Sequence, residues 1–148
     1  MGKNMSGKTK TGVHWSFWVI GVVTLIWNAM GAANYIAQLD PVVVATFPDS
    51  HRALIVDRPA WATGAFAIAV FGGTIGCVLL LFKKSISYYL FIASFLGVII
   101  TMVHTFSVKG STANSGSADF ILTILLPLII AGFLVWYSKW IAKNSWIK

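Results

Sequence analysis

Several polar side chains interrupt the long apolar stretches of this sequence, and they are the residues best suited to bind a solute. Asn28, Tyr35 and Gln38 follow a spacing of i, i+7 and i+10, which places them on one helical face, with Asn34 slightly aside. Lipid makes such groups costly, so they are retained for function or for hydrogen bonds between helices. Amide groups both donate and accept hydrogen bonds, which suits recognition of a polar molecule.

Thr63 in the second apolar stretch and Thr101 and His104 in the third are further candidates. We predict a polar cleft that opens towards the outside and binds a small neutral solute such as a sugar, whose ring Trp27 or Tyr35 would cover. The alternative is structural: the same groups hydrogen-bond across the bundle, each pair contributing about 0.6 kcal/mol. The candidate site consists of Trp27, Asn28, Asn34, Tyr35, Gln38, Thr63, Thr101 and His104.

The sequence contains none of the usual catalytic or metal-binding patterns. No acidic or basic residue lies deep in an apolar stretch, and neither phosphate-binding glycine motif is present. His51 has Asp49 and Asp57 nearby, but one histidine and two carboxylates near a membrane surface are a weak metal site. We therefore expect no enzymatic activity, no metal and no cofactor.

The elements that carry these residues are four long apolar runs. The chain of 148 residues is 57% hydrophobic and 10% charged, whereas soluble domains carry about 25% charged residues. Each run approaches the roughly 20 residues that cross a bilayer, and helices satisfy their own backbone hydrogen bonds there. We predict a single all-α domain, residues 1–148, that is a four-helix transmembrane bundle. The predicted spans are 14–38, 60–82, 86–107 and 119–138, with outer loops 40–59 and 108–118.

Charge is distributed unequally between the two sides of the predicted bundle. One side carries eight lysines and no acid, whereas the other carries three basic residues and all four acids. This asymmetry places both termini in the cytoplasm. It also accounts for the net charge of +7 without nucleic-acid binding. The eight lysines are Lys3, Lys8, Lys10, Lys83, Lys84, Lys139, Lys143 and Lys148.

Prolines mark local features of the predicted helices. Asp40-Pro41 is expected to end the first span, and Pro48-Asp49-Ser50 resembles the start of a short helix on the membrane surface. Pro59 is expected near the first position of the second span. Pro127 removes one backbone hydrogen bond within the fourth span, which predicts a kink there.

Gly72, Gly73 and Gly76 form a small-residue face on the second span. Small residues let two helix backbones approach closely, which is a main source of helix association in lipid. The face favours a tight contact inside the bundle, and a homodimer interface is the second interpretation.

Three segments resemble one known family: Pro59–Gly73, Leu25–Gly31 and Phe133–Lys139. The chain is similar to a small four-helix bacterial inner-membrane protein family, mostly uncharacterised, some of whose members carry the label "sugar transporter". The resemblance covers nearly the whole chain and departs in the serine- and glycine-rich second outer loop. It implies a bacterial inner-membrane location and a four-span topology.

Two functional hypotheses follow. In the first, the protein binds or transports a small neutral polar solute, and a transport path would require a dimer. In the second, it is a non-transporting accessory subunit that packs against a larger membrane protein through its small-residue face. The lipid bilayer is the partner expected in either case.

Overall fold

The computed structural model describes residues 13–109, 118 and 121–147, and these residues are mostly helical and contain no strand. Four of the helices are long and apolar enough to cross a bilayer. The predicted all-α, four-helix transmembrane fold is thereby confirmed, and the chain is a multi-pass membrane protein. The helices are α1 (Trp15–Ala37), α2 (Pro41–Ala45), α3 (Asp49–Arg52), α4 (Ala60–Leu81), α5 (Ser87–Lys109) and α6 (Leu126–Lys143).

The molecule has two halves, which are the two ends of the four long helices α1, α4, α5 and α6. We call the half that contains the start of α1 and the end of α6 the basic half, and the opposite one the loop half. The first two spans agree with the predicted bounds to within one residue, and the third to within two. Residues 110–117 of the predicted second outer loop, and residues 119–120 at the predicted start of the fourth span, lie outside the described residues.

The segment between α1 and α4 contains more helix than the sequence suggested. The short helix predicted at Pro48 is present as α3, with Pro48 as its N-cap residue. Asp40-Pro41 ends α1 and also starts α2, because the Asp40 carboxylate accepts a hydrogen bond from Val42 N at 2.9 Å. An aspartate cap followed by proline is a strong helix start.

A π-helical turn at Ile121–Leu125 precedes α6, and Pro127 lies in the first turn of that helix. Proline lacks an N–H and crowds the preceding turn. A wider π-helical turn is one way for a membrane helix to rearrange its backbone hydrogen bonds next to a proline.

In the basic half, α4 and α6 end in tight turns that use no glycine. Lys83 has φ of 59° and Ser145 has φ of 56°. The next backbone N–H closes each turn, with Lys84 N 2.9 Å from the carbonyl oxygen of Leu79. This is the Schellman arrangement, in which the chain reverses at the helix end. After α6 it brings Ile147, only 5% exposed, back onto the core.

Helices α4 and α5 approach each other backbone to backbone at Gly97. A Cβ atom on Gly97 would lie 2.6 Å from the carbonyl oxygen of Ala65 and 2.9 Å from the amide nitrogen of Ala69. Ser94 Oγ also donates a hydrogen bond to the carbonyl oxygen of Ala69 at 2.6 Å. Close backbone approach at glycine is therefore what joins these two helices.

The helices pack in chain order, α1 on α4, α4 on α5 and α5 on α6. Among the described residues, α1 and α6 share no helix–helix interface of comparable extent. Side chains from all four spans nevertheless meet in the basic half, where they form the main core. The buried members of this core are Phe17, Cys77, Leu80, Phe91, Leu134, Tyr137, Ile141 and Ile147.

Candidate functional site

A cavity of about 610 Å³ occupies the space between the four spans and extends into the loop half. All four spans contribute to its wall, together with His51 of α3 and the segment that follows α3. Phe91 and Leu134 belong both to this wall and to the main core, so they form the floor of the cavity. The volume lies within the range of about 300–1,000 Å³ that is typical of sites for small molecules.

Most of the residues predicted from the sequence to bind solute line this cavity. Tyr35 and Thr63 do not. The Tyr35 ring instead packs edge-on against Phe66 and Phe71, each at a centroid distance of 5.6 Å. The predicted residues that line the cavity are Trp27, Asn28, Asn34, Gln38, Thr101 and His104.

A hydrogen-bonded chain of polar groups lies at the loop-half end of the cavity. Arg58 Nη1 donates to Gln38 Oε1 at 2.9 Å, and Arg58 Nε donates to Thr63 Oγ1 at 3.2 Å. Gln38 Nε2 in turn donates to Asn34 Oδ1 at 3.3 Å. The guanidinium carbon of Arg58 also lies 5.3 Å from the centroid of the Phe66 ring. These contacts hold the guanidinium group in place against α1 and α4.

Sequence reasoning missed Arg58 as a site residue and counted it only as a charge of the first outer loop. One signal was present: Arg58 directly precedes Pro59, the N-cap residue of α4. A long side chain at that position can reach the first turns of the helix, where Thr63 and Phe66 lie. The partner from α1 had no such signal, because Gln38 is 20 residues away in the chain.

The charge of Arg58 is partly removed from water. Burial lowers the pKa of Arg58 from its ordinary value. Arginine nevertheless stays protonated at neutral pH, because its pKa in water is so high. Within the described part of the chain, its hydrogen-bond partners are neutral, whereas Arg52 of the same segment pairs with Asp49.

The deeper polar groups are occupied by contacts within the bundle. Asn28 Nδ2 donates to the carbonyl oxygen of Thr24 at 2.8 Å and lies 3.7 Å from Cys77 Sγ. The Asn28 amide oxygen also packs so closely on Gly73 that a Cβ atom there would collide with it. These contacts favour the structural interpretation for Asn28.

The hydroxyl groups in the cavity wall already donate their hydrogens to helix backbone. Thr101 Oγ1 donates to the carbonyl oxygen of Gly97 at 2.8 Å, and Thr105 Oγ1 donates to that of Thr101 at 3.0 Å. Hydroxyl groups often bond in this way to the preceding helical turn. They remain able to accept a hydrogen bond from a solute, since each oxygen has a second lone pair.

His104 lies near the end of α5 that points into the loop half, and it is only 6% exposed. Its ring packs edge-on against Trp61 at a centroid distance of 5.9 Å. Trp61 is 54% exposed, as an aromatic side chain at a membrane interface is expected to be. Arg58 lies within electrostatic range of His104, so side chains from the first outer loop and from α5 converge here.

The predicted small-residue face lies at contacts inside the chain. Gly73 approaches Asn28 and Ser94, Gly76 approaches the ring of Phe91, and Gly72 contacts Ser94. Gly73 and Gly76 are buried by these contacts. A homodimer would therefore have to use another surface.

In the described ranges, no group of three or more His, Cys, Asp or Glu side chains is arranged to hold a metal ion. Cys77 is a free, buried thiol. Comparison with protein-family models, with curated proteins and with solved structures finds no match for this chain. The family resemblance noted in the sequence therefore stays a prediction.

Proposed function

We propose that this protein is a multi-pass protein of the bacterial inner membrane that binds a small polar solute in the cavity and transports it. The observation that carries the proposal is the cavity itself, with six of the eight predicted residues in its wall. The polar chain from Asn34 to Thr63 lies at one end and the apolar floor at the other. A site of this size with few polar groups is typical of small-molecule binding.

The direction of entry is proposed from charge. Of the eight lysines, the four that the structure describes, Lys83, Lys84, Lys139 and Lys143, lie in the basic half, which the positive-inside rule assigns to the cytoplasm. A solute would then enter from the outside through the loop half. Because the main core lies below the floor, release into the cytoplasm would require Phe91, Leu134 and their neighbours to separate.

A thermal-unfolding screen in lipid nanodiscs tests the binding step. A ligand that binds only the folded protein raises its stability by about 2.7 kcal/mol at 100 times its dissociation constant. The screen would include sugars and other small polar metabolites. We expect one chemical class to raise the melting temperature in a concentration-dependent way.

A cavity-filling variant connects any shift to the proposed site. Ala131 lines the cavity, so Ala131→Phe should abolish the ligand shift. Ala33→Phe is the matched control, because Ala33 is an exposed residue of α1 outside the cavity wall. A shift that survives Ala131→Phe would place the ligand elsewhere. The absence of a shift with every solute class would contradict solute binding.

The accessory-subunit hypothesis is the second candidate, and one observation favours it. Among the described residues, helices α1 and α6 are not packed together as extensively as the other neighbouring spans are, which leaves parts of both helices for a partner helix to contact. Under this hypothesis no solute stabilises the protein. Crosslinking in native membranes from cysteines placed on α1 and α6 should then trap a larger membrane protein.

A further inference from the structure

Among the described residues, the charge in the cavity wall is unbalanced. Among the described residues that line it, Arg58 is the only arginine or lysine, and none is an aspartate or glutamate. A partly buried charge is costly when no opposite charge lies beside it. The side chain is nevertheless held there by Gln38, Thr63 and Phe66, so the fold retains a cation next to the cavity.

The geometry of Arg58 leaves hydrogen-bond donors for a ligand. A guanidinium group has five N–H groups in a planar fork. The hydrogen bonds to described residues use one N–H of Nη1 and the N–H of Nε. These bonds leave the Nη2 group and the second N–H of Nη1 as donors, and a guanidinium group binds a carboxylate through one or two such N–H groups.

The remainder of the cavity suits an apolar group better than a second polar one. Its deeper wall includes Val98, Ile130 and the floor residues Phe91 and Leu134. The hydroxyl hydrogens of Ser94, Thr101 and Thr105 are already donated to backbone carbonyls. A sugar has hydroxyl groups on every side, and at this depth the wall offers their oxygen atoms few hydrogen-bond donors.

We propose, on the assumption that the protein binds a solute at all, that this solute is a small carboxylate with an apolar body. Arg58 binds the carboxylate at the loop-half end, and the apolar body lies against the floor. This solute differs from the neutral, sugar-like one predicted from the sequence, because Arg58 adds a positive charge to the cavity wall. An anionic lipid headgroup presents the same chemistry to Arg58, so the test has to separate the two sources.

Matched pairs of probes isolate the charge. The full-length protein in nanodiscs of zwitterionic phosphatidylcholine would be titrated with phenylacetate and phenylacetamide, and with hexanoate and hexanamide. Each pair differs only at the group that faces Arg58. Hydrogen bonds to a charged group are worth enough that we expect each carboxylate to bind about 10- to 100-fold more tightly than its amide.

Two variants assign the preference to Arg58. Arg58→Gln should remove the difference between carboxylate and amide, and Arg58→Lys should restore part of it, since lysine keeps the charge but not the fork. Arg52→Gln is the matched control, because Arg52 pairs with Asp49 on the same segment and does not line the cavity. The ratio measured in the unsubstituted protein requires no variant, so it is informative even if Arg58→Gln fails to fold.

Each outcome separates this inference from the proposed function. Equal binding of acid and amide, abolished by Ala131→Phe, would overturn the carboxylate and keep the solute site. Stabilisation by phosphatidylglycerol nanodiscs, without any effect of soluble carboxylates, would assign the anion to lipid and overturn the solute. A carboxylate preference that survives Arg58→Gln and disappears in His51→Gln would also overturn it, because His51 lines the cavity too. Binding of no probe would contradict the proposed function itself.

Discussion

The basic half and the loop half of this molecule are built from the same four helices but pack in different ways. In the basic half, Phe17, Leu80 and Ile141 are completely buried, and side chains from all four spans meet. In the loop half, the same helices enclose a cavity and a partly buried arginine. One end of the bundle is thus a densely packed core, and the other end encloses open space.

Proline position explains part of this difference. The chain has four prolines, Pro41, Pro48, Pro59 and Pro127, and all of them lie towards the loop half. Each of them marks the first residues of a helix or the residue just before one. Where a helix is interrupted next to the membrane, its terminal backbone N–H and C=O groups need polar partners. Polar side chains and loosely packed space therefore accumulate in the same half.

The largest expected effect concerns which half faces outwards. We predict that a membrane-impermeant maleimide labels Thr46→Cys in intact bacterial cells and does not label Ser85→Cys. Both residues are exposed, Thr46 between α2 and α3 and Ser85 in the turn between α4 and α5. Cys77 is 0% exposed, so the background should be low. Permeabilised cells should show both labels, and the reverse pattern in intact cells would place the cavity on the cytoplasmic side.

The next effect measures the difference in packing. Ile141→Ala removes a completely buried side chain from the main core, and we expect the free energy of unfolding to fall by about 2–5 kcal/mol. Ile130 borders the cavity, so Ile130→Ala should cost less. Ile129 is 56% exposed on the same helix, and Ile129→Ala should change stability by no more than about 0.5 kcal/mol. Equilibrium denaturation in mixed micelles measures all three, and equal losses at Ile141 and Ile130 would remove the contrast between the halves.

The smallest effect separates structural from functional polar groups. Asn28→Leu breaks the contacts of Asn28 with Thr24 and Cys77, and we expect a loss of about 0.6–1.7 kcal/mol in the free energy of unfolding. Asn34 is exposed at the loop-half end, so Asn34→Leu should leave stability nearly unchanged and weaken ligand binding. The same denaturation assay, together with ligand titration, checks both. A stability loss at Asn34 as large as that at Asn28 would indicate that both amides are structural.

The bounds of the spans show how far hydropathy can predict this fold. Three spans agree with the predicted bounds to within two residues, because an apolar run is recognised from consecutive residues alone. The fourth was predicted to end at residue 138, yet α6 continues to Lys143. Helical hydrogen bonding does not stop where the hydrocarbon does. This helix ends at the Schellman turn around Ser145, a backbone feature that hydropathy does not register.

By itself, the sequence determined the number of spans, the helical class and the unequal distribution of lysines, because each of these depends on local composition and on counting charges. Only the tertiary structure decided which partners each polar group contacts. Asn28 has its contacts within the bundle, whereas Arg58 reaches Gln38 across 20 residues of chain. That pairing depends on how α1 packs against α4. A helical period predicts which residues share a face, but only packing decides what that face meets.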